Sequence, residues 1–253
     1  MIAEHTATLP LPEKASDWRT GLKVKLFADG ADRAGMLDMY RHSHIHGFTT
    51  NPTLMRKAGI TDFEAFARDI LQAIPDRPIS LEVFADDFPQ MERQARIVAG
   101  WGSNVYVKIP VTNTKGESSA DLVRHLTLDG ISLNVTALLT LSQVRTITRV
   151  LRDGAPACVS VFAGRIADTG RDPVPVMAEA VEILRETPNA ELIWASPREL
   201  LNVFQADAIG CHIITATNDI LKKLSLIDKD LTEYSLETVK MFYNDALASG
   251  FTL

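Results

Sequence analysis

Asn104-Val105-Tyr106-Val107-Lys108-Ile109-Pro110 reads as a strand with two unlike faces. Side chains alternate along extended chain, so Val105, Val107 and Ile109 share one face and Asn104, Tyr106 and Lys108 the other. Strands of a parallel sheet are covered on both sides and normally apolar throughout. Here only one face is apolar, so that face meets the helices. Lys108 then points into the interior of a closed sheet.

The neighbouring sequence repeats a β-rich run, a turn and a helical pattern at intervals of roughly 25–35 residues. Strands are predicted at residues 24–28, 47–50, 79–84, 105–109, 131–136, 157–162, 192–195 and 209–215. Helical patterns fall between them, as at residues 63–73, 90–99, 141–151, 176–186 and 199–205. Eight strands alternating with helices over 253 residues predict an α/β fold, a parallel (β/α)8 TIM barrel. An open doubly wound sheet would carry a glycine fingerprint after its first strand. That turn is Asp29-Gly30-Ala31-Asp32, and neither GxGxxG nor GxxxxGK[ST] occurs in the chain.

An additional C-terminal helix is predicted over residues 235–249, with Ser235 as N-cap, an apolar stripe of Leu236, Val239, Phe242, Tyr243 and Leu247, and Gly250 closing the end. It packs on its own barrel or reaches a neighbouring subunit. Residues 1–20 are expected to be an N-terminal extension, and residues 21–253 a single barrel domain that includes this helix.

Composition narrows the partners. Hydrophobic residues make up 46% and charged residues 23%, the balance of a soluble chain with a large core. Lys+Arg total 26 against 32 Asp+Glu, a net charge of -6, and no basic cluster suits a nucleic-acid backbone. No run approaches the ~18 apolar residues of a membrane span, and the first residues lack a signal-peptide core. No nucleic-acid or membrane partner and a cytoplasmic location are therefore expected. Cys158 and Cys211 lie in apolar runs and are expected to be buried thiols.

Other strands place polar groups on the face shared with Lys108. These are Asp29 in the first, Ser80 and Glu82 in the third, Ser132, Asn134 and Thr136 in the fifth, and Ser160 in the sixth. Apart from Ser80 and Ser132, each falls in the later part of its strand, toward the C-terminal mouth where barrel enzymes carry their chemistry. Buried without partners they would cost several kcal/mol, so a shared site is the better reading. Burial draws a lysine toward its neutral amine form, which can attack a carbonyl carbon and form an iminium. Glu82 and Asp29 are the candidate proton carriers, and the amides and hydroxyls suit a polyhydroxylated substrate. Metal binding suits the set poorly. His42, His44 and His46 cluster before the second strand, at the other end of the barrel, where a helix C-terminus favours histidine.

Four ordered motifs resemble the transaldolase family. Gly47-Phe48-Thr49-Thr50-Asn51-Pro52-Thr53-Leu54 is similar to its second-strand signature, and Val105-Tyr106-Val107-Lys108-Ile109-Pro110-Val111-Thr112 to its Schiff-base strand. Ile131-Ser132-Leu133-Asn134-Val135-Thr136-Ala137 and Ser160-Val161-Phe162-Ala163-Gly164-Arg165-Ile166 resemble the fifth and sixth strands. The resemblance implies a transferase of carbohydrate metabolism, of the pentose phosphate type. It would move a dihydroxyacetone unit from a sugar phosphate to an aldose acceptor, with no metal or organic cofactor and as a homo-oligomer.

Carried over by residue, the resemblance implies a Schiff base on Lys108, proton transfer by Asp29, and a shuttle water held by Glu82 and Thr136. Thr50, Asn51, Asn134, Ser160 and Phe162 would contact the retained unit, and Arg165 with Ser196 the phosphate. Relatives that act as fructose-6-phosphate aldolases carry Gln where this chain has Glu82 and Tyr where it has Phe162, so the resemblance favours transfer over release of free dihydroxyacetone. After Ala195-Ser196 the chain runs directly into Pro197-Arg198, lacking residues that small relatives insert there. A donor or acceptor of unusual length or without phosphate is the accompanying alternative. A barrel that binds sugar phosphate without turning it over is the alternative outside enzymes, and Asp29, Glu82 and Lys108 together argue against it.

Overall fold

The computed structural model describes residues 21–252, and the expected N-terminal extension lies outside them. The chain divides into two compact units, one of them Leu22–Lys222 and the other including residues 223–252.

In chain order the first unit contains β1 (Lys25–Asp29), α1 (Arg33–Tyr40), β2 (Ile45–Thr49), α2 (Pro52–Lys57), α3 (Phe63–Ala73) and β3 (Ile79–Glu82). There follow α4 (Phe88–Ala99), β4 (Val105–Pro110), α5 (Ala120–Leu128), β5 (Leu133–Leu138), α6 (Leu141–Leu151) and β6 (Ala157–Val161). The unit ends with α7 (Ala163–Ala167), α8 (Val174–Leu184), β7 (Ala190–Trp194), α9 (Leu201–Ala208), β8 (Ile213–Thr217) and α10 (Asn218–Lys222). All eight strands pair in parallel, and β1 pairs with both β2 and β8, closing the (β/α)8 barrel.

Local chemistry accounts for the helices. Asp62 accepts the Ala65 N–H to start α3, which turns Phe66, Ala67, Ile70 and Leu71 inward. Thr140 and Gln143 form a reciprocal capping box on α6, whose stripe of Val144, Ile147, Thr148 and Leu151 is buried. The helices cover the outer strand face, where Val107, Ile109, Leu133, Val135, Val159, Val161 and Leu192 are all buried. Full burial of one such side chain contributes about 1.5–3 kcal/mol.

Some boundaries differ from expectation. The eighth strand begins at Ile213, not residue 209, because Ile209 closes α9 and Gly210 reverses the chain at φ +73°. The fifth runs to Leu138 past a register shift, with Ala137 in the left-handed region at φ +65°. Such backbone is strained for a residue with a Cβ, and it adjoins Thr136.

Inside the barrel the levels differ in chemistry. At the N-terminal end Lys25 Nζ bonds Glu191 at 2.8 Å. Above lies an apolar plug of Phe27, Cys158, Ile193, Ala195 and Ile213, packed by Tyr106 and Phe162. Gly47 is required there, since a Cβ would come within 2.5 Å of the Phe27 ring. The polar strand ends stand above this plug. Both cysteines are buried.

In the second unit α11 (Leu231–Ser249) is the expected C-terminal helix. It starts earlier than predicted: Asp230, not Ser235, is the N-cap, its carboxylate accepting the Thr232 and Glu233 N–H groups. A carboxylate there also complements the helix dipole, which leaves Ser235 inside the helix. Gly250 closes the end at φ +65° as expected, and Leu236, Val239, Phe242, Tyr243 and Leu247 are exposed.

Candidate active site

Strand register gathers the inward residues at the mouth. Lys108 stands level with Glu82 on β3 and with Asn134 on β5. Its Nζ lies 3.1 Å from Glu82 Oε2 and donates to the Thr50 carbonyl at 2.9 Å. Lys108 is only 6% exposed, so its amine is removed from bulk water and held by a carboxylate and a carbonyl. Glu82 also lines a cleft with Pro52, Met55, Arg56, Phe63 and Phe84.

Asp29 ends β1, where its Oδ1 accepts the Thr49 hydroxyl at 2.7 Å. Thr49 Oγ1 also lies 2.6 Å from Thr215 Oγ1. Burial raises the Asp29 pKa above the usual aspartate value; Lys108 and the Thr49 hydroxyl oppose this, and Glu82 adds to it. Asp29 is thus poised to hold a proton at a pH where a surface aspartate would have lost it.

The remaining polar residues form a chain across β3, β5 and β6. Asn134 donates to Ser80 Oγ at 2.9 Å and accepts the Ser160 hydroxyl at 2.7 Å, with all three buried. Thr136 differs, because its buried hydroxyl has no hydrogen-bond partner among the described residues. Buried polar atoms are rarely left so unless water or a ligand completes them.

Two expected substrate contacts have other duties. Asn51 is the N-cap of α2, its Oδ1 accepting the Leu54 N–H at 3.0 Å, which leaves its amide N–H groups as the free function. The Thr50 hydroxyl donates to the Ser80 carbonyl at 2.9 Å, so Thr50 faces Lys108 through its backbone oxygen.

The sites expected for phosphate lie on the β6–β7 side. Arg165 on α7 is exposed, with its guanidinium 5.7 Å from the centre of the Phe162 ring. Ser196 adopts φ +59° and accepts Arg198 Nη1 at 3.1 Å. Arg198 also forks onto Asp168, through Nε at 2.9 Å to Oδ1 and through Nη2 to Oδ2. Gly164 permits this approach, since a Cβ there would sit 1.6 Å from the Ser196 carbonyl oxygen. The His42 and His44 rings lie 5.3 Å apart, tilted by 39°, in the loop before β2, at the end of the barrel away from this mouth.

Thr49, Thr215, Arg198 and Asp168 thus adjoin the site without having been assigned to it from sequence. A signal existed for the threonines. Thr49 shares the parity of Gly47, and Thr215 that of Ile213, both of which face the interior. For Arg198 and Asp168 no strand parity applies, because both lie outside strands.

The arrangement offers an amine able to attack a carbonyl, two carboxylates able to move protons, and amides and hydroxyls suited to a sugar. Comparison with known proteins agrees. The "probable transaldolase" of Thermoanaerobacter sp. is 34% identical over 218 residues, 86% of this chain and 95% of that protein. The "probable transaldolase" of Dehalococcoides mccartyi is 31% identical over 202 residues, 79% of this chain and 90% of that protein. Among solved structures, dihydrodipicolinate synthase from Rhodopseudomonas palustris has a TM-score of 0.53 at 16% identity, covering 85% of this chain and 79% of that one, a likeness of fold alone. The family model for transaldolase/fructose-6-phosphate aldolase matches residues 26–252, and the chain belongs to that family.

Proposed function

We propose that this enzyme is a transaldolase, moving a three-carbon dihydroxyacetone unit from a ketose phosphate to an aldose through a Schiff base on Lys108. The observation that carries the reading is the buried Lys108 amine, 3.1 Å from the Glu82 carboxylate within a ring of substrate-type polar groups. Glu82 takes the ammonium proton, and the freed amine attacks the ketose carbonyl carbon. Glu82 and a water held with Thr136 then protonate the departing oxygen, and loss of water leaves the iminium.

Asp29 removes the proton of the C4 hydroxyl, the C3–C4 electron pair moves into the iminium, and an aldose departs. The retained enamine attacks the acceptor carbonyl, Asp29 returns its proton to the new alkoxide, and hydrolysis frees Lys108. The iminium itself is the electron sink. Asn134, Ser160 and the free amide of Asn51 hold the three-carbon unit, while Arg165 and Ser196 hold the phosphate.

Phe162 supports transfer over simple cleavage, because a phenyl ring has no proton to give the enamine. The test is reduction with borohydride in the presence of fructose 6-phosphate or sedoheptulose 7-phosphate, followed by peptide mapping. The adduct is expected on the peptide carrying Lys108, and an adduct confined to another lysine refutes the mechanism. Free dihydroxyacetone, measured with and without an aldose acceptor, separates the transferase from an aldolase. Release at an equal rate in both cases would favour the aldolase.

A further inference from the structure

We propose that Thr215 is a positioning residue for Asp29, acting through Thr49 as a one-way relay of two hydroxyls that stabilises the Asp29 carboxylate and holds it in place at the end of β1. This rests on the reading that Asp29 moves the substrate proton. The three groups come from the adjacent strands β8, β2 and β1. Asp29 stands level with Thr49, while Thr215 stands level with Phe27, one inward layer deeper. Thr215 Oγ1 is 2.6 Å from Thr49 Oγ1, which is 2.7 Å from Asp29 Oδ1. Thr49 is 2% exposed and Thr215 6%, so bulk water does not compete for these hydroxyls.

Proton counting sets the direction. A threonine hydroxyl has one proton to donate. An ionised Asp29 can only accept, so the Thr49 proton is committed to it. Thr49 oxygen must then accept, and Thr215 must be the donor of the second bond. Every donor therefore points at Asp29. Such a chain polarises in one sense and strengthens the final, charge-assisted bond.

When Asp29 carries a proton, that bond loses its charge assistance, so the relay favours the carboxylate against the burial that disfavours it. The other charges acting on Asp29 are Lys108 on β4, which favours the carboxylate, and Glu82 on β3, which disfavours it. From β2 the contact is the Thr49 hydroxyl, with the Thr215 hydroxyl of β8 behind it. Branching at Cβ restricts both side chains to few rotamers, which fixes the geometry.

The experiment is the pH dependence of kcat/KM for the wild type, Thr215→Val, Thr215→Ser and Asp29→Asn, alongside borohydride trapping on Lys108. Valine keeps the threonine shape and removes the hydroxyl. Thr215→Val is expected to move the acid limb upward by roughly half a pH unit or more, to recover activity at higher pH, and to leave the Lys108 adduct intact. Thr215→Ser should restore the limb. Should the valine variant not fold, Thr215→Ala carries the same comparison. A uniform loss at all pH values, an unmoved limb, or a shift that serine does not reverse would each overturn the relay. An acid limb that survives in Asp29→Asn would instead overturn the role of Asp29, and absence of the Lys108 adduct in the wild type the Schiff-base reading.

Discussion

Lys108 and Glu82 set the terms at the scale of single residues. They form a pair that is almost removed from water, with side-chain exposures of 8% and 18%. A buried ion pair contributes little net stability, but losing one member leaves the other uncompensated. Glu82→Ala is therefore expected to lower unfolding stability by about 3 kcal/mol. Glu82→Gln keeps an oxygen to accept from Lys108, so less than half of that loss is expected. Both variants should slow Schiff-base formation about 100-fold or more, because neither can move a proton. Denaturant midpoints and single-turnover trapping rates check the two effects separately. A glutamine variant that traps substrate at the wild-type rate would remove Glu82 from the chemistry.

Among elements, the short helix α7 and the end of β7 depend on one glycine. A Cβ at Gly164 would fall 1.6 Å from the Ser196 carbonyl oxygen, and backbone cannot yield as a side-chain tip can. Gly164→Ala must push α7 away from β7, carrying Arg165 from Ser196 and loosening the Arg198–Asp168 fork. The expected destabilisation is about 3 kcal/mol, at the upper end for overpacking. KM should rise more for a phosphorylated donor than for its unphosphorylated counterpart, and equal KM values for the two would show that this junction does not serve the phosphate. Elements also show where sequence reading stops. Parity placed Lys108, Glu82 and Asn134 correctly on the inner face, because alternation is a property of each strand alone. Ser235 was a plausible cap by composition, yet Asp230 five residues earlier does the capping. Several residues near a helix start can cap it, and the sequence does not rank them.

For the barrel as a whole, the polar mouth and the opposite end have separate duties. At the end away from the mouth, His212 accepts the Leu192 N–H at Nδ1, 3.1 Å away, and so needs an unprotonated nitrogen. Burial lowers the His212 pKa below 6.5, with Lys25 acting in the same direction and Glu191 against it. The unfolded chain therefore binds a proton where the folded one does not, so stability falls as pH drops below about 6.5 toward the folded value. Denaturant unfolding at about pH 8 and about pH 5 should show this loss, and His212→Gln should reduce it. An unchanged pH slope in the variant would rule out His212 as a source.

By itself the sequence determined the closed parallel barrel, the inward lysine and the level at which polar side chains gather. Those follow from a two-residue period and from apolar faces that helices must cover, both local properties. Only the tertiary structure decided which of those groups touch. Asn51 spends its carbonyl on a helix cap, Thr50 offers its backbone, Arg198 is held by Asp168, and Thr215 reaches Asp29 through Thr49. These pairings depend on the stagger between strands distant in sequence, which closure of the barrel sets and no single segment encodes.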